Sequence, residues 1–215
     1  MNECGSHADA FFRLFQMEWP AFWAQTDQKK RNQEILFQDY LRDRRVIDVQ
    51  GESPIKSQLP YKCGTARQSI DFAFLPSPFS GKIPHISESL ATCEFKGPAR
   101  KTLWEFKRNW YDRNGSYGLL PDVNEQYKRA CKYPTVEHYC AWVATLNDRK
   151  SKRKRDFQSS LKILLKQVTH DLGLPGGAVV TCRTCHFEQI APGDTVMFLW
   201  EVKGPSIRSS AEIEE

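Results

Sequence analysis

The chain lacks the marks of several common protein classes. No apolar run approaches the roughly 20 residues that a membrane-spanning helix needs, so no membrane partner is expected. The first residues, MNECGSHADAFFRLF, contain no basic stretch followed by an apolar segment. No secretory leader is therefore expected, and the chain reads as cytoplasmic. The histidines, at 7, 85, 138, 170 and 186, never fall at His-x-x-x-His spacing, which argues against a histidine-rich metal site or a histidine nucleophile. There is no Gly-x-Ser-x-Gly elbow, no glycine-rich loop to cradle phosphate and no dinucleotide fingerprint. The seven cysteines are odd in number and show no disulfide-scaffold spacing, so they read as reduced thiols.

One cysteine pair needs separate comment. CRTCH, with Cys182, Cys185 and His186, matches a c-type haem attachment pattern and also supplies half of a zinc site. Haem attachment requires export, which nothing in the sequence supports. A zinc site would draw on Cys63, Cys93, His138 or Cys140, with no second paired spacing among them. If the segment is a strand, Cys182 and Cys185 point to opposite faces. Ordinary cysteines are the expectation, with a small zinc-binding structural protein as a distant alternative.

What is present is a globular composition. The 215 residues are 40% hydrophobic and 27% charged, enough for a sizeable core in a single domain spanning 1–215. Lysine and arginine number 31 against 26 acidic residues, a net charge of +5 and a mild bias toward polyanions.

Along the chain, 8–44 reads as helical. Phe11, Phe12, Leu14, Phe15 and Trp19 form an apolar stripe that Pro20 interrupts or kinks, and a second helix covers about 28–44. RVIDVQG reads as a short strand and GESPIKSQLPYKCG as a loop broken by proline and glycine. ARQSIDFAFLP alternates as a strand, with Ile70, Phe72 and Phe74 on one face and Asp71 and Ala73 on the other. ESLATCEFKG is a further strand, and 97–121 a long basic and aromatic insert. DVNEQYKRACKY reads as a helix with Asp122 as its N-cap, and EHYCAWVATL as an apolar strand. After the charge run to Arg155, an amphipathic helix carries Phe157, Leu161, Leu164, Val168 and Leu172, and two strands close the domain before a polar tail at 205–215. The expected fold class is α/β, a mixed central β-sheet flanked by helices, with a C-terminal helix and strands over 156–204.

The chemistry concentrates at a strand end. Glu94 and Lys96 share one face of their strand, while Phe95 turns to the core. An antiparallel hairpin of 67–75 with 88–96 lets Asp71 and Glu94 converge. Two close carboxylates repel unless a cation lies between them. Lys96 supplies one positive charge, and a hard divalent cation bound through oxygen would supply the rest. Such a set suits phosphodiester hydrolysis, in which Lys96 steers the attacking water or stabilises developing charge.

Asp71 followed by Glu94-Phe95-Lys96-Gly97 resembles the PD-(D/E)XK nuclease superfamily, across roughly 28–146. The resemblance implies a restriction-endonuclease-like αβββαβ core. It implies Mg²⁺ (or Mn²⁺) bound by Asp71 and Glu94, with the Phe95 carbonyl as a further ligand and Lys96 assisting water. It also implies, as in some members, an additional ligand in Glu34 and an active-site glutamine in Gln126. The superfamily's roles include restriction, repair and phage defence. The chain departs from the pattern in having Ile70 where many members have proline, a long 76–87 connection and the 97–121 insert.

Within that insert, Arg100, Lys101, Lys107 and Arg108 alternate with Trp104, Phe106, Trp110 and Tyr111. Cations for phosphates interleaved with rings for stacking suit nucleic acid, although an amphipathic helix with solvated charges has the same pattern. RKSKRKR, including Lys152 and Arg153, suits a phosphate clamp, a nuclear-localisation look-alike or a solvated loop. The expected partner is DNA, with RNA and a homodimer left open. The competing expectation is a catalytically inactive nuclease-like domain that binds nucleic acid or protein.

Overall fold

The computed structural model describes residues 7–26, 33–48, 53–63, 66–76, 84–97, 119–145, 179–187 and 195–204. The basic insert, the charge run and the amphipathic helix expected at 156–172 lie outside these residues, as do Arg100, Lys101, Lys107, Arg108, Lys152 and Arg153.

Three α-helices, one short 3-10 helix (Ile86–Glu88) and six strands are described: α1 (Ala8–Gln25), α2 (Gln33–Asp43), β1 (Ile55–Cys63), β2 (Ala66–Phe74), β3 (Ala91–Lys96), α3 (Leu119–Lys132), β4 (Glu137–Thr145), β5 (Val179–Phe187) and β6 (Thr195–Lys203). The strands form one mixed sheet in the order β1-β2-β3-β4-β6-β5. β3 and β4 are parallel, with α3 lying between them in sequence, and every other neighbouring pair is antiparallel. The structure is therefore mixed α/β. No helix among the described residues is long and apolar enough to cross a membrane.

The sequence pattern explains the layering. On β3, Ala91, Cys93 and Phe95 alternate with Thr92, Glu94 and Lys96. The first set joins a core with Phe11, Phe15 and Trp19 of α1 and Phe37 and Leu41 of α2. The second set meets α3, through Gln126, Arg129 and Asp122. The strand thus separates an aromatic core on one face from a polar contact on the other. The Phe95 ring packs between Phe15, Trp19, Phe37 and Phe72, with centroids 5.0 to 6.0 Å away. Cys93 and Cys140 are buried and free, and burial pushes both thiols well above the ordinary range.

Four local readings are corrected. The RVIDVQG segment is not a strand where described: it leaves α2 in turns, Arg45 at φ 59°, and only Asp48 bridges Lys56. The first strand is instead Ile55–Cys63, within the segment read as a loop. Pro60 and the flanking lysines disguised it, and an edge strand tolerates proline. α1 runs through Pro20 without ending, because the aromatic stripe on both sides of the proline is buried against the sheet. Asp122 is not an N-cap but lies in the first turn of α3, which begins at Leu119.

Candidate active site

The β2–β3 register ends at Phe72–Cys93, and continuing it by one residue sets Asp71 across from Glu94. There the Asp71 carboxylate is held by donors from two neighbouring elements. Asp71 Oδ2 accepts from the Phe95 amide at 2.9 Å, and Oδ1 accepts from Gln38 Nε2 at 3.0 Å. Gln58 supports this from β1. Its Nε2 donates to Gln38 Oε1 at 2.7 Å and approaches Asp71 Oδ1 at 3.4 Å, and Ser69 Oγ donates to its Oε1 at 2.7 Å. Gln58 reaches this place from a left-handed backbone, φ 53°, between the Ser57–Phe72 and Leu59–Ile70 pairs. A non-glycine residue held there stores about 1–3 kcal/mol of strain, which the side-chain network maintains.

Glu34 and Gln38 lie one turn apart on α2 and so share a face. Glu34 Oε1 accepts from the Gly97 amide at 3.1 Å, just past Lys96. Burial raises the Glu34 carboxyl above its usual range, while the nearby Lys96 works the other way. This places Glu34 with Asp71 and Lys96.

The Lys96 ammonium lies 3.2 Å from Asp122 Oδ2. Burial acts to lower the lysine, but Asp122, Glu34 and Asp71 outweigh it, and the net direction is upward. Lys96 is therefore a firm cation. Burial pushes Asp122 up to about 6 despite Lys96.

The cation on Glu94 is not Lys96, contrary to the sequence reading. It is Arg129, whose Nη1 donates to Glu94 Oε1. Arg129 is 2% exposed, and it is held in turn by Gln126 Oε1 at 3.2 Å. Gln126 donates to the Tyr139 carbonyl at 2.7 Å and accepts from Thr92 Oγ1 at 3.4 Å. Gln126 therefore braces Arg129 at the edge of the cluster rather than touching Asp71. Even with Arg129 present, burial and the Asp71 charge push Glu94 up to about 8. Asp122, Gln126 and Arg129 recur at intervals of four and three along α3, so one helix face meets Lys96, Thr92 and Glu94 of β3.

Compared with models of known families, with curated proteins and with solved structures, the chain matches none. The site must be read from its own chemistry.

Four carboxylates, Glu34, Asp71, Glu94 and Asp122, surround two cations, Lys96 and Arg129. The oxygen donors are of the type that suits a hard divalent ion. The placement does not suit one. Among the described residues no three histidine, cysteine, aspartate or glutamate side chains converge to hold a metal ion. Asp71 is occupied by N–H donors on both oxygens, and Glu94 is taken by Arg129. Asp122, Arg129, Gln38 and Gln58 were missed in the sequence. The spacing of Asp122, Gln126 and Arg129 was a usable signal for the α3 face.

Proposed function

We propose that the chain is a metal-dependent nuclease hydrolysing phosphodiester bonds in DNA, on a restriction-endonuclease-like αβββαβ core, with Mg²⁺ or Mn²⁺ as the cofactor that family uses. The observation that carries the reading is Asp71 set across from Glu94, with Lys96 two residues on at the end of the same strand. Support comes also from the order α2, β1–β2–β3, α3, β4, with β4 parallel to β3. That is the order the resemblance implies.

The chain's own residues define what each would contribute. Lys96 stays protonated, so it serves as a fixed positive charge for a phosphoryl oxygen or the attacking water and not as a proton acceptor. The Phe95 amide, Gln38 and Gln58 fix the Asp71 carboxylate, so little reorganisation is needed when charge develops beside it. Glu34 ties α2 to the end of β3 through the Gly97 amide.

Incubation of the protein with supercoiled plasmid, with and without Mg²⁺ or Mn²⁺, tests the reading. Nicked or linear product is expected only with the divalent ion, and none with Asp71→Ala. Intact DNA and intact RNA under every divalent ion tried would sink it.

One observation favours a second reading. Arg129 already neutralises Glu94, which suits a nuclease-like domain that binds nucleic acid or protein without cutting. Retention of a labelled duplex with no cleavage product, unaffected by Asp71→Ala, is the result that reading expects.

A further inference from the structure

One residue pair marks a turn in the β1–β2 ribbon. Residues two apart on a strand share a face. Phe72 joins the aromatic core under α1 and α2, yet Ile70 packs instead with Leu59, Ala73 and Ile86, with Tyr133 against them. The partner strand does the same. Ser57, across from Phe72, accepts from Arg42 of α2, while Leu59, across from Ile70, joins the Ile70 cluster. Both strands therefore change face at the one position in between, where Gln58 lies across from Asp71. Among the residues of these two strands Gln58 alone has a left-handed backbone, φ 53°. Strict alternation after Phe72 would turn Asp71 away from α2. With the change of face, Asp71 meets Gln38 of α2.

We propose that Gln58 is a positioning residue for Asp71: its backbone turns the ribbon over, and its side chain sets which end of Gln38 the carboxylate meets. The Gln58 amide donates to Gln38 Oε1 at 2.7 Å, so the amino end of Gln38 is the one turned to Asp71, 3.0 Å from Oδ1. Ser69 Oγ donates to Gln58 Oε1 and so fixes the Gln58 amide in its turn. Gln38 is 2% exposed. Without Gln58 it is able to present its oxygen to Asp71 Oδ1, and two acceptors repel. A left-handed glutamine is kept where the strained geometry serves a site. The role in cleavage rests on the nuclease reading. The hold on Asp71 needs neither metal nor nucleic acid.

The Phe95 amide reports on Asp71, because it donates to Oδ2 at 2.9 Å. The test follows that amide by heteronuclear NMR and hydrogen exchange in the full chain without divalent ions, with Asp71→Ala marking its behaviour when the carboxylate is gone. Gln58→Gly suits a left-handed backbone but carries no amide, so its urea midpoint should be unchanged or higher. Its Phe95 amide should nonetheless move toward the Asp71→Ala resonance and exchange at least about tenfold faster. A merely structural residue would not give these opposite signs. Gln58→Glu, of the same shape, cannot donate to Gln38 and should move the amide likewise; it decides alone if Gln58→Gly does not fold by circular dichroism. A Phe95 amide unmoved in the folded variants overturns the proposal. Plasmid cleavage with Mg²⁺ is read beside it, and the variants should lose about tenfold in kcat with KM for DNA unchanged. Cleavage equal to that of the unaltered protein overturns the role in the reaction and leaves the nuclease reading intact. No cleavage by the unaltered protein overturns the nuclease reading, and the Phe95 amide still decides the hold on Asp71.

Discussion

Asp122→Asn gives a sharp test of the cluster's electrostatics. Asparagine is nearly isosteric with a protonated aspartic acid, so the two proteins should be almost equally stable near pH 4. Above that they diverge. The unfolded chain releases the Asp122 proton around its ordinary value of 3.8, whereas the folded protein releases it only at about 6. The folded state therefore holds a proton that the unfolded state has lost. The stability associated with this proton is fully present below about pH 3.8 and is lost as pH rises through about 6. The full difference corresponds to about 3 kcal/mol. Because 20% of the Asp122 side chain is exposed, solvent screens part of it, and roughly half, about 1.5 kcal/mol, is the better expectation. Urea titrations at pH 4 and pH 7.5 read this directly. The stability of Asp122→Asn relative to the unaltered protein should rise by about 1.5 kcal/mol between the two pH values. A flat difference, or one favouring the aspartate at pH 7.5, would refute the claim that burial outweighs Lys96 at this position.

Other expectations follow from the same contacts. On the proposed nuclease reading, Lys96→Ala should lower the rate of single-turnover plasmid cleavage by about 10²–10³-fold, as loss of one preorganised charge-stabilising group does. Phe95→Ala should cost about 3–5 kcal/mol in urea unfolding, since its ring fills the space between Phe15, Trp19, Phe37 and Phe72. His138 is buried, and burial lowers it to about 4 from 6.5. The unfolded chain takes up that proton first, so stability should fall by up to about 3 kcal/mol as pH drops from about 6.5 to 4, and His138→Asn should flatten the slope. Replacing Lys107 and Arg108 by alanine should reduce the log–log salt dependence of duplex binding by about two if both touch phosphate, measured in Ca²⁺.

The sheet was readable in the sequence wherever one face is apolar. Phe72 and Phe74 join the α1–α2 core as their alternation indicates, whereas Ile70, read on the same face, packs with Leu59, Ala73 and Ile86 instead; β4 and β6 are too apolar to be anything but interior strands. β1 escaped because its buried residues, Lys56, Ser57 and Leu59, fall on both faces of the strand and include a lysine paired with Asp48. A pattern of polar types gives no period. Asp71, Glu94 and Lys96 stood out because they interrupt apolar runs. Arg129 and Asp122 did not, because charges on a helix usually face water. Which of them turns inward is decided by the sheet beneath, and that is tertiary information. Gln58 is the extreme case, since nothing in SQLPY announces a left-handed glutamine.

The parallel pairing of β3 with β4 carries a kinetic consequence. β1, β2 and β3 are antiparallel neighbours in sequence and can zip by short closures, but β4 reaches β3 only after the whole chain from Gly97 to Val136 has been looped. α3 belongs to that looped segment. Glu94 and Lys96 are therefore expected to remain hydrated on an open sheet edge through the early stages of folding, and to meet Arg129 and Asp122 only when the crossover docks. An order of assembly in which charges and countercharges leave water together spares the intermediate an unpaired buried ion. Substitutions at Asp122, Gln126 or Arg129 of α3 should then accelerate unfolding while leaving the refolding rate nearly unchanged.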